Sequence, residues 1–285
     1  MTSSKPMHGK ICMVTGATDG IGRVTAQALA EQGAVVIVVG RNKEKAEKVV
    51  QEIQAKSGNP AVEAMMADLS NQKAIRQLAK EFTGRYRHLH VLVNNAGAIF
   101  MKRQESVDGL EMTFALNHLG YFLLTDLLLD TIKASAPARI VNVSSSVHYN
   151  GQLNFDDLQK SQDYQGLPAY SQSKLANVLF TYELARRLKG SGVTTNALHP
   201  GVVATRFGAN NGGVWRYLLR PLLNLFSISE EKGAQTTIYL ATSPEVEGVT
   251  GEYFEEKLSK RSSDISYDET VAQRLWEVSE SLTHS

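Results

Sequence analysis

The chain has 285 residues, 42% of them apolar and 21% charged, with a formal net charge of +1. That length is enough to bury a sizeable core in one large α/β domain, and the composition is that of an ordinary globular protein. The near-neutral charge excludes a basic nucleic-acid face and a polybasic membrane face.

The opening segment, Met1 to Lys10, is short and polar and has no apolar signal-peptide core. No uninterrupted apolar run approaches the roughly 18 residues that a membrane helix needs. Val214 to Ile228 comes nearest and is broken by Arg216, Arg220 and Pro221. The single cysteine, Cys12, sits in the strand-like Ile11-Cys12-Met13-Val14 and reads as core packing. A cytoplasmic protein with no integral membrane segment is expected.

Strands are predicted at Lys10–Thr15, Ala34–Val39, Val62–Ala67, Leu89–Val93, Arg139–Val143 and Val193–Leu198. Amphipathic helical stretches fall between them at Ile21–Gln32, Lys43–Lys56, Gln72–Thr83, Leu110–Ala134 and Ala169–Lys189. The run Ala34 to Val39 is apolar throughout, as in a parallel strand covered on both faces. Strict strand–helix alternation implies right-handed crossovers and a Rossmann-type, doubly wound parallel sheet in three α/β/α layers. No repeat or linker divides residues 1–285, so a single dinucleotide-binding and catalytic domain is expected. Two excursions, Ser146–Pro168 and Gly208–Ile228, follow carboxyl ends of strands, where ligands bind in such sheets.

The first strand runs into Thr15-Gly16-Ala17-Thr18-Asp19-Gly20-Ile21-Gly22. Gly16 permits a tight turn, Gly20 a close backbone approach, and Gly22 close helix–strand packing. The helix that follows offers free N–H groups and a partial positive charge to a pyrophosphate. Gly16, Thr18, Asp19, Gly20 and Ile21 are therefore cofactor-binding candidates. The spacing is Gly-x3-Gly-x-Gly rather than the commoner dinucleotide fingerprint, so context carries this reading.

After the second strand, NAD-binding proteins usually place an acid on the ribose 2′-hydroxyl. Here Val39-Gly40-Arg41-Asn42-Lys43 has none, and Arg41 can fork onto a 2′-phosphate that a carboxylate would repel. Arg41 and Asn42 thus point to NADP(H). Asp68, with Leu69 after the third strand, could accept from an adenine amino group or belong to a helix cap centred on Ser70.

Tyr170-Ser171-Gln172-Ser173-Lys174 places a phenol and an ammonium four residues apart on one helical face. Moving a phenol from a pKa of about 10 to about 7 needs about 4 kcal/mol in favour of phenolate. A cation about 5 Å away supplies about 3 kcal/mol at an effective dielectric of about 20. Tyr-x3-Lys alone is common, but this one opens a helix after a strand that ends in Asn142-Val143-Ser144-Ser145-Ser146.

Thr15–Gly22, Asn94-Asn95-Ala96-Gly97, Asn117, Ser145, Tyr170-x3-Lys174 and Pro200-Gly201, in this order, resemble the motif set of the single-domain short-chain dehydrogenase/reductases. Leu116-Asn117-His118-Leu119-Gly120, Ile140 to Ser145 and Tyr170 to Phe180 are similar to the retinol dehydrogenase branch, which is largely NADP(H)-linked. The resemblance implies that Tyr170 exchanges a proton with the substrate oxygen. It implies that Lys174 lowers the tyrosine pKa and binds the nicotinamide ribose, and that Ser145 hydrogen-bonds the substrate oxygen. Asn117 would hold a water on the proton path. Asn94 would brace the central strand, with Ala96 and Gly97 beside the cofactor. Pro200, Gly201, Val203 and Thr205 would approach the nicotinamide amide and pyrophosphate. Among Ser144, Ser145 and Ser146, likeness to the branch favours Ser145.

Two departures limit the resemblance. Many retinol dehydrogenases carry an N-terminal membrane segment that has no counterpart here, so membrane residence does not carry over. The interval from Ser145 to Tyr170 exceeds that of the shortest relatives, and leaves both monomer and homodimer open.

Phe207, Trp215, Tyr217, Leu218, Leu222, Leu223 and Phe226 fall where relatives place a substrate lid, about residues 205–230. They suggest a lipophilic aldehyde, ketone or alcohol, or else simply cover the core. His118, His148 and His199 show no metal spacing and read as structural or surface histidines; no metal is expected. The sequence therefore describes an NADP(H)-dependent oxidoreductase acting on a small-molecule carbonyl or alcohol, retinal-like compounds included. An NAD-dependent alcohol dehydrogenase and a non-catalytic NADP(H)-sensing or scaffold protein on the same fold are the alternatives.

Overall fold

A computed structural model of the chain describes residues 5–201 and 228–284. Among these residues the strands are β1 Ile11–Thr15, β2 Val35–Gly40, β3 Val62–Met66, β4 Val91–Asn94, β5 Ala138–Val143, β6 Val193–His199, β7 Tyr253–Glu255 and β8 Leu258–Lys260. They form one sheet in the order β3-β2-β1-β4-β5-β6-β7-β8. Pairing is parallel as far as β7, and β8 returns antiparallel to it. The strand order reverses between β1 and β4, which opens a crevice at their carboxyl ends.

The helices are α1 Gly20–Glu31, α2 Lys43–Ser57, α3 Gln72–Arg85, α4 Met112–Lys133, α5 Gly166–Arg187, α6 Glu230–Thr242 and α7 Glu269–Thr283. They bury the sheet from both sides. Alternation along β1 and β2 sends Cys12, Val14, Val36 and Val38 into the layer under α1, α2 and α6, and Met13, Ile37 and Val39 into the layer under α3 and α4. On α3, Ile75, Leu78, Ala79 and Phe82 recur at helical spacing and all are buried. Each large side chain so placed stabilises the fold by about 1.5–3 kcal/mol. Cys12 is fully buried, and burial pushes its thiol up to about 12, so it is inert packing.

The six predicted strands and five predicted helices are present with ends shifted by a few residues. Four elements were not predicted: α6, α7 and the hairpin of β7 and β8. Its two turn residues, Glu256 and Lys257, have φ of 51° and 65°, a left-handed pair that usually draws Asn and Gly. The cap of α3 also differs from expectation. Asn71, not Ser70, accepts from the Ala74 N–H at 3.1 Å, because the Ser70 hydroxyl is turned back onto Asp68.

Helix α4 bears on the membrane expectation. Its 22 residues, whose most apolar 18 have a mean hydropathy of 1.3, are long and apolar enough to cross a membrane by length and composition. In the fold, 72% of its most apolar stretch is buried, which is the setting of a core helix. The helix is also not regular: Ala115–Leu119 forms a π turn centred on Asn117.

Candidate active site

Every predicted site residue that is described lies at or near the carboxyl edge of the sheet. Val203, Thr205 and the proposed lid residues from Phe207 to Phe226 lie outside the described residues.

The glycine loop joins β1 to α1 with φ of 64° at Gly16 and 53° at Gly20, values that glycine adopts without strain. A Cβ on Gly16 would stand 2.8 Å from the Ala96 Cα, so the loop and the end of β4 touch through backbone. Thr15 and Asn95 fix that contact. The Thr15 hydroxyl accepts from the Asn95 and Ala96 N–H groups at 2.8 and 3.1 Å, and the Asn95 amide donates to the Thr15 carbonyl at 2.8 Å. Asp19 caps α1, accepting from the Gly20 N–H at 3.0 Å, and its second oxygen takes Lys45 Nζ at 2.8 Å. Thr18 packs over Gly40, where a Cβ would meet its methyl at 2.5 Å.

Arg41 leaves β2 with its side chain 73% exposed and a loose ion pair to Asp68 at 3.8 Å. Asn42 is engaged as the cap of α2, accepting from the Lys45 N–H at 2.8 Å. Asp68 accepts from the Ser70 N–H and hydroxyl at 3.0 and 2.7 Å. Leu69 sends its side chain into the core, which leaves only its backbone for a ligand. Asn94, placed among the cofactor candidates, is fully buried. Its amide donates to Thr125 Oγ1 at 3.0 Å and Asn142 Oδ1 at 2.9 Å, so it braces β4 against β5 and α4.

The catalytic candidates meet where β4 and β5 end. Tyr170 and Lys174 stand one turn apart on α5, both at least nine-tenths buried, with Lys174 Nζ 5.6 Å from the phenol ring centre. Lys174 Nζ donates to the Val143 carbonyl at 3.0 Å. Of the three serines, Ser144 donates to the Lys174 carbonyl at 2.7 Å, Ser146 opens a short 3₁₀ turn, and Ser145 hydrogen-bonds the Tyr170 hydroxyl. The Asn117 amide clamps Ala98, donating to its carbonyl and accepting from its N–H, both at 2.9 Å, and donates to Ser173 Oγ at 3.0 Å. With its side chain so occupied, the group Asn117 can offer a water is its backbone, which the π turn removes from regular helix geometry.

A family model described as short chain dehydrogenase matches residues 10–212. The chain belongs to the short-chain dehydrogenase family. Human retinol dehydrogenase 11 is 45% identical over 279 residues, covering 98% of this chain and 87% of that protein. Human polyprenol dehydrogenase is 43% identical over 284 residues, covering 98% and 86%. The solved complex of Pseudomonas aeruginosa RhlG with NADP superposes with a TM-score of 0.71 at 27% identity, covering 89% of this chain and 97% of that one. The chain thus stands in the retinol dehydrogenase branch of an oxidoreductase family that uses a nicotinamide cofactor.

The residues present fit such a cofactor. A glycine turn opens onto the N-terminus of α1, an exposed guanidinium stands beyond β2, and a buried amine lies between Gly97 and Tyr170. A Cβ on Gly97 would approach Asn117 Oδ1 to 3.2 Å and Lys174 Nζ to 3.5 Å, so only glycine keeps that floor open.

Burial dominates the electrostatics of both groups in this short-chain dehydrogenase. It pushes Tyr170 well above the ordinary tyrosine value, and the Ser145 hydrogen bond offsets only part of this. Burial also lowers Lys174, to about 7. Desolvation thus favours the neutral form of each group.

The three histidines are buried rather than exposed. His118 meets Ser279 Oγ at 2.9 Å, and burial holds it at about 4. His199, at the end of β6, is likewise lowered to about 4 by burial. His148 contacts the Ser145 carbonyl three residues before it and the Ser263 N–H, a placement that sequence reasoning missed because Ser263 lies on a distant segment. Among the described residues no group of three or more His, Cys, Asp or Glu could hold a metal ion. A cavity of about 940 Å³ opens at the opposite edge of the sheet, lined by Lys10, His90, Arg139, Arg186 and Thr250, and takes no part in this site.

Proposed function

We propose that the protein interconverts a lipophilic carbonyl and its alcohol with NADP(H), Tyr170 serving as the proton-transfer group. The observation that carries this reading is the cluster of half-buried Ser145 with buried Tyr170 and Lys174, at the same sheet edge as the glycine turn and as Arg41 beyond β2. Bound NADP(H) supplies or accepts the hydride. Ser145 and the Tyr170 hydroxyl form a donor pair for one substrate oxygen, polarising it and delivering or removing its proton. Lys174 returns a proton to the phenolate left after reduction and is itself reprotonated from solvent water, for which the Asn117 backbone would be a holding point. Arg41 selects the phosphorylated cofactor by a charge-assisted fork, since no acid stands in the place of an NAD-type ribose partner. The lipophilic class is supported by relatives named for retinol and polyprenol and by the apolar sequence from Phe207 to Phe226. A cytoplasmic setting belongs to the same reading, supported by a lone buried cysteine.

The test is oxidation of NADPH and NADH by the purified protein over long-chain aldehydes, retinal, steroids and small ketones. Faster NADPH consumption over the lipophilic members is the expected result. Preference for NADH that Arg41→Ala leaves unchanged overturns the cofactor assignment. Unchanged turnover in Tyr170→Phe overturns the mechanism.

A further inference from the structure

His148 is fully buried in the 3₁₀ turn Ser146–Asn150, directly after the catalytic serine. Its Nδ1 lies 2.7 Å from the Ser145 carbonyl, and its Nε2 lies 3.2 Å from the Ser263 backbone nitrogen. A backbone N–H can only donate, so Nε2 must carry the lone pair. The proton is then on Nδ1, and His148 donates to Ser145 as a neutral imidazole.

The surroundings agree. Burial lowers His148, the Ser145 carbonyl raises it, His199 lowers it and Glu255 raises it, with the net direction downward. Tyr149 and Tyr253 hold the ring between them at centroid distances of 4.1 and 4.7 Å. The Tyr149 hydroxyl donates to the Arg261 carbonyl at 2.6 Å, a second tie between this turn and the segment that follows β8.

We propose that His148 is a positioning residue for catalysis: it locks the Ser145 backbone to the segment after β8, and so fixes the direction in which Ser145 meets Tyr170. The inference rests on the reading of Ser145 and Tyr170 given above. Ser145 lies two residues past β5 in extended backbone, at φ −162° and ψ 156°, and its carbonyl also accepts from the His148 N–H at 3.1 Å. Losing the imidazole bond frees the serine to rotate while leaving cofactor contacts in place.

Three variants of the full chain separate this role from general packing. Asparagine places an N–H near Nδ1, glutamine places its amide near Nε2, and Ser263→Pro removes the latch donor, together with a buried hydroxyl that has no hydrogen-bond partner, at a residue whose φ of −59° suits proline. His148→Gln is expected to lower kcat about tenfold to hundredfold with the KM for NADPH unchanged. It should also speed hydrogen exchange over residues 144–150. His148→Asn keeps the bond to Ser145 but loses the latch, so it should match Ser263→Pro, with kcat down about threefold to tenfold and exchange slower than in His148→Gln. Ser263→Pro should lower kcat by about threefold to tenfold, and it reads the latch independently if the glutamine variant does not fold.

Equal losses in His148→Asn and His148→Gln overturn the proposal, as does a loss confined to the KM for NADPH or to thermal stability. If the parent turns over no carbonyl with NADPH, the proposed function falls while the exchange comparison still decides this inference. Faster exchange in His148→Gln than in His148→Asn supports it, and equal exchange overturns it.

Discussion

The two ends of the carboxyl-edge crevice are built on opposite principles. At the adenosine end, Arg41, Asp68, Asp19 and Lys45 are charged, at least a third exposed and paired with one another at 2.8 to 3.8 Å. At the catalytic end, Ser145, Tyr170, Lys174 and Asn117 lie among buried neighbours, and each group's charge is set by what surrounds it. At the first end the groups are exposed and their mutual attraction is screened, so each keeps the charge its residue type gives it. At the second, desolvation is the leading force, and residue type says little about ionisation state.

The comparison breaks first at Tyr170. Tyr170→Phe keeps the ring and removes only the acid–base group, so kcat should fall by about 10² to 10⁴ with the KM for NADPH nearly unchanged, read by steady-state kinetics. Lys174 gives the second test. Its folded-state pKa is about 7 against an ordinary 10.5, so between these values the unfolded chain binds the extra proton. Stability of the cofactor-free protein should therefore rise with pH from about 7 toward 10, by at most about 1.4 kcal/mol per unit. Above 10 the raised tyrosine works the other way, because the unfolded chain then holds fewer protons. Denaturant midpoints across this range check the slope, and Lys174→Met should flatten it.

Arg41→Ala tests the exposed end. Loss of a charge-assisted contact of about 1.5–3 kcal/mol should raise the KM for NADPH roughly tenfold or more and leave that for NADH in place. The smallest effect belongs to Asp68→Asn. An exposed pair is worth about 0–1 kcal/mol, so NADPH affinity should move by less than about fivefold, read by fluorescence titration. A larger change would show that the adenosine end is not screened as described.

The same division explains what could be read from the sequence. Gly16, Gly20, Arg41 and the Tyr170–Lys174 pair were legible because their meaning is local: a turn, a charge, one helical face. The parallel sheet was legible because short β-rich runs, β2 apolar through Val35–Val39, alternate with amphipathic helical stretches. The π turn at Asn117 was not, since five residues of altered hydrogen bonding leave the hydropathy pattern unbroken. Asn71 displaced Ser70 as a cap because a nearby carboxylate competes for the serine hydroxyl. His148 was invisible as a partner of Ser263 because 115 residues separate them. The ionisation of Lys174 depends on a burial that no spacing encodes. Strands β7 and β8, at three residues each, are too short to show a period of two.

That last hairpin has a consequence for association. By folding back on β7, β8 ends the sheet with one of the chain's own segments, so no second molecule can extend it from β7. What remains on that side is three residues, about 10 Å of backbone, all solvent-facing and closing on Lys260. A rim so brief, with a lysine at its end, offers a visiting strand few backbone groups to pair with.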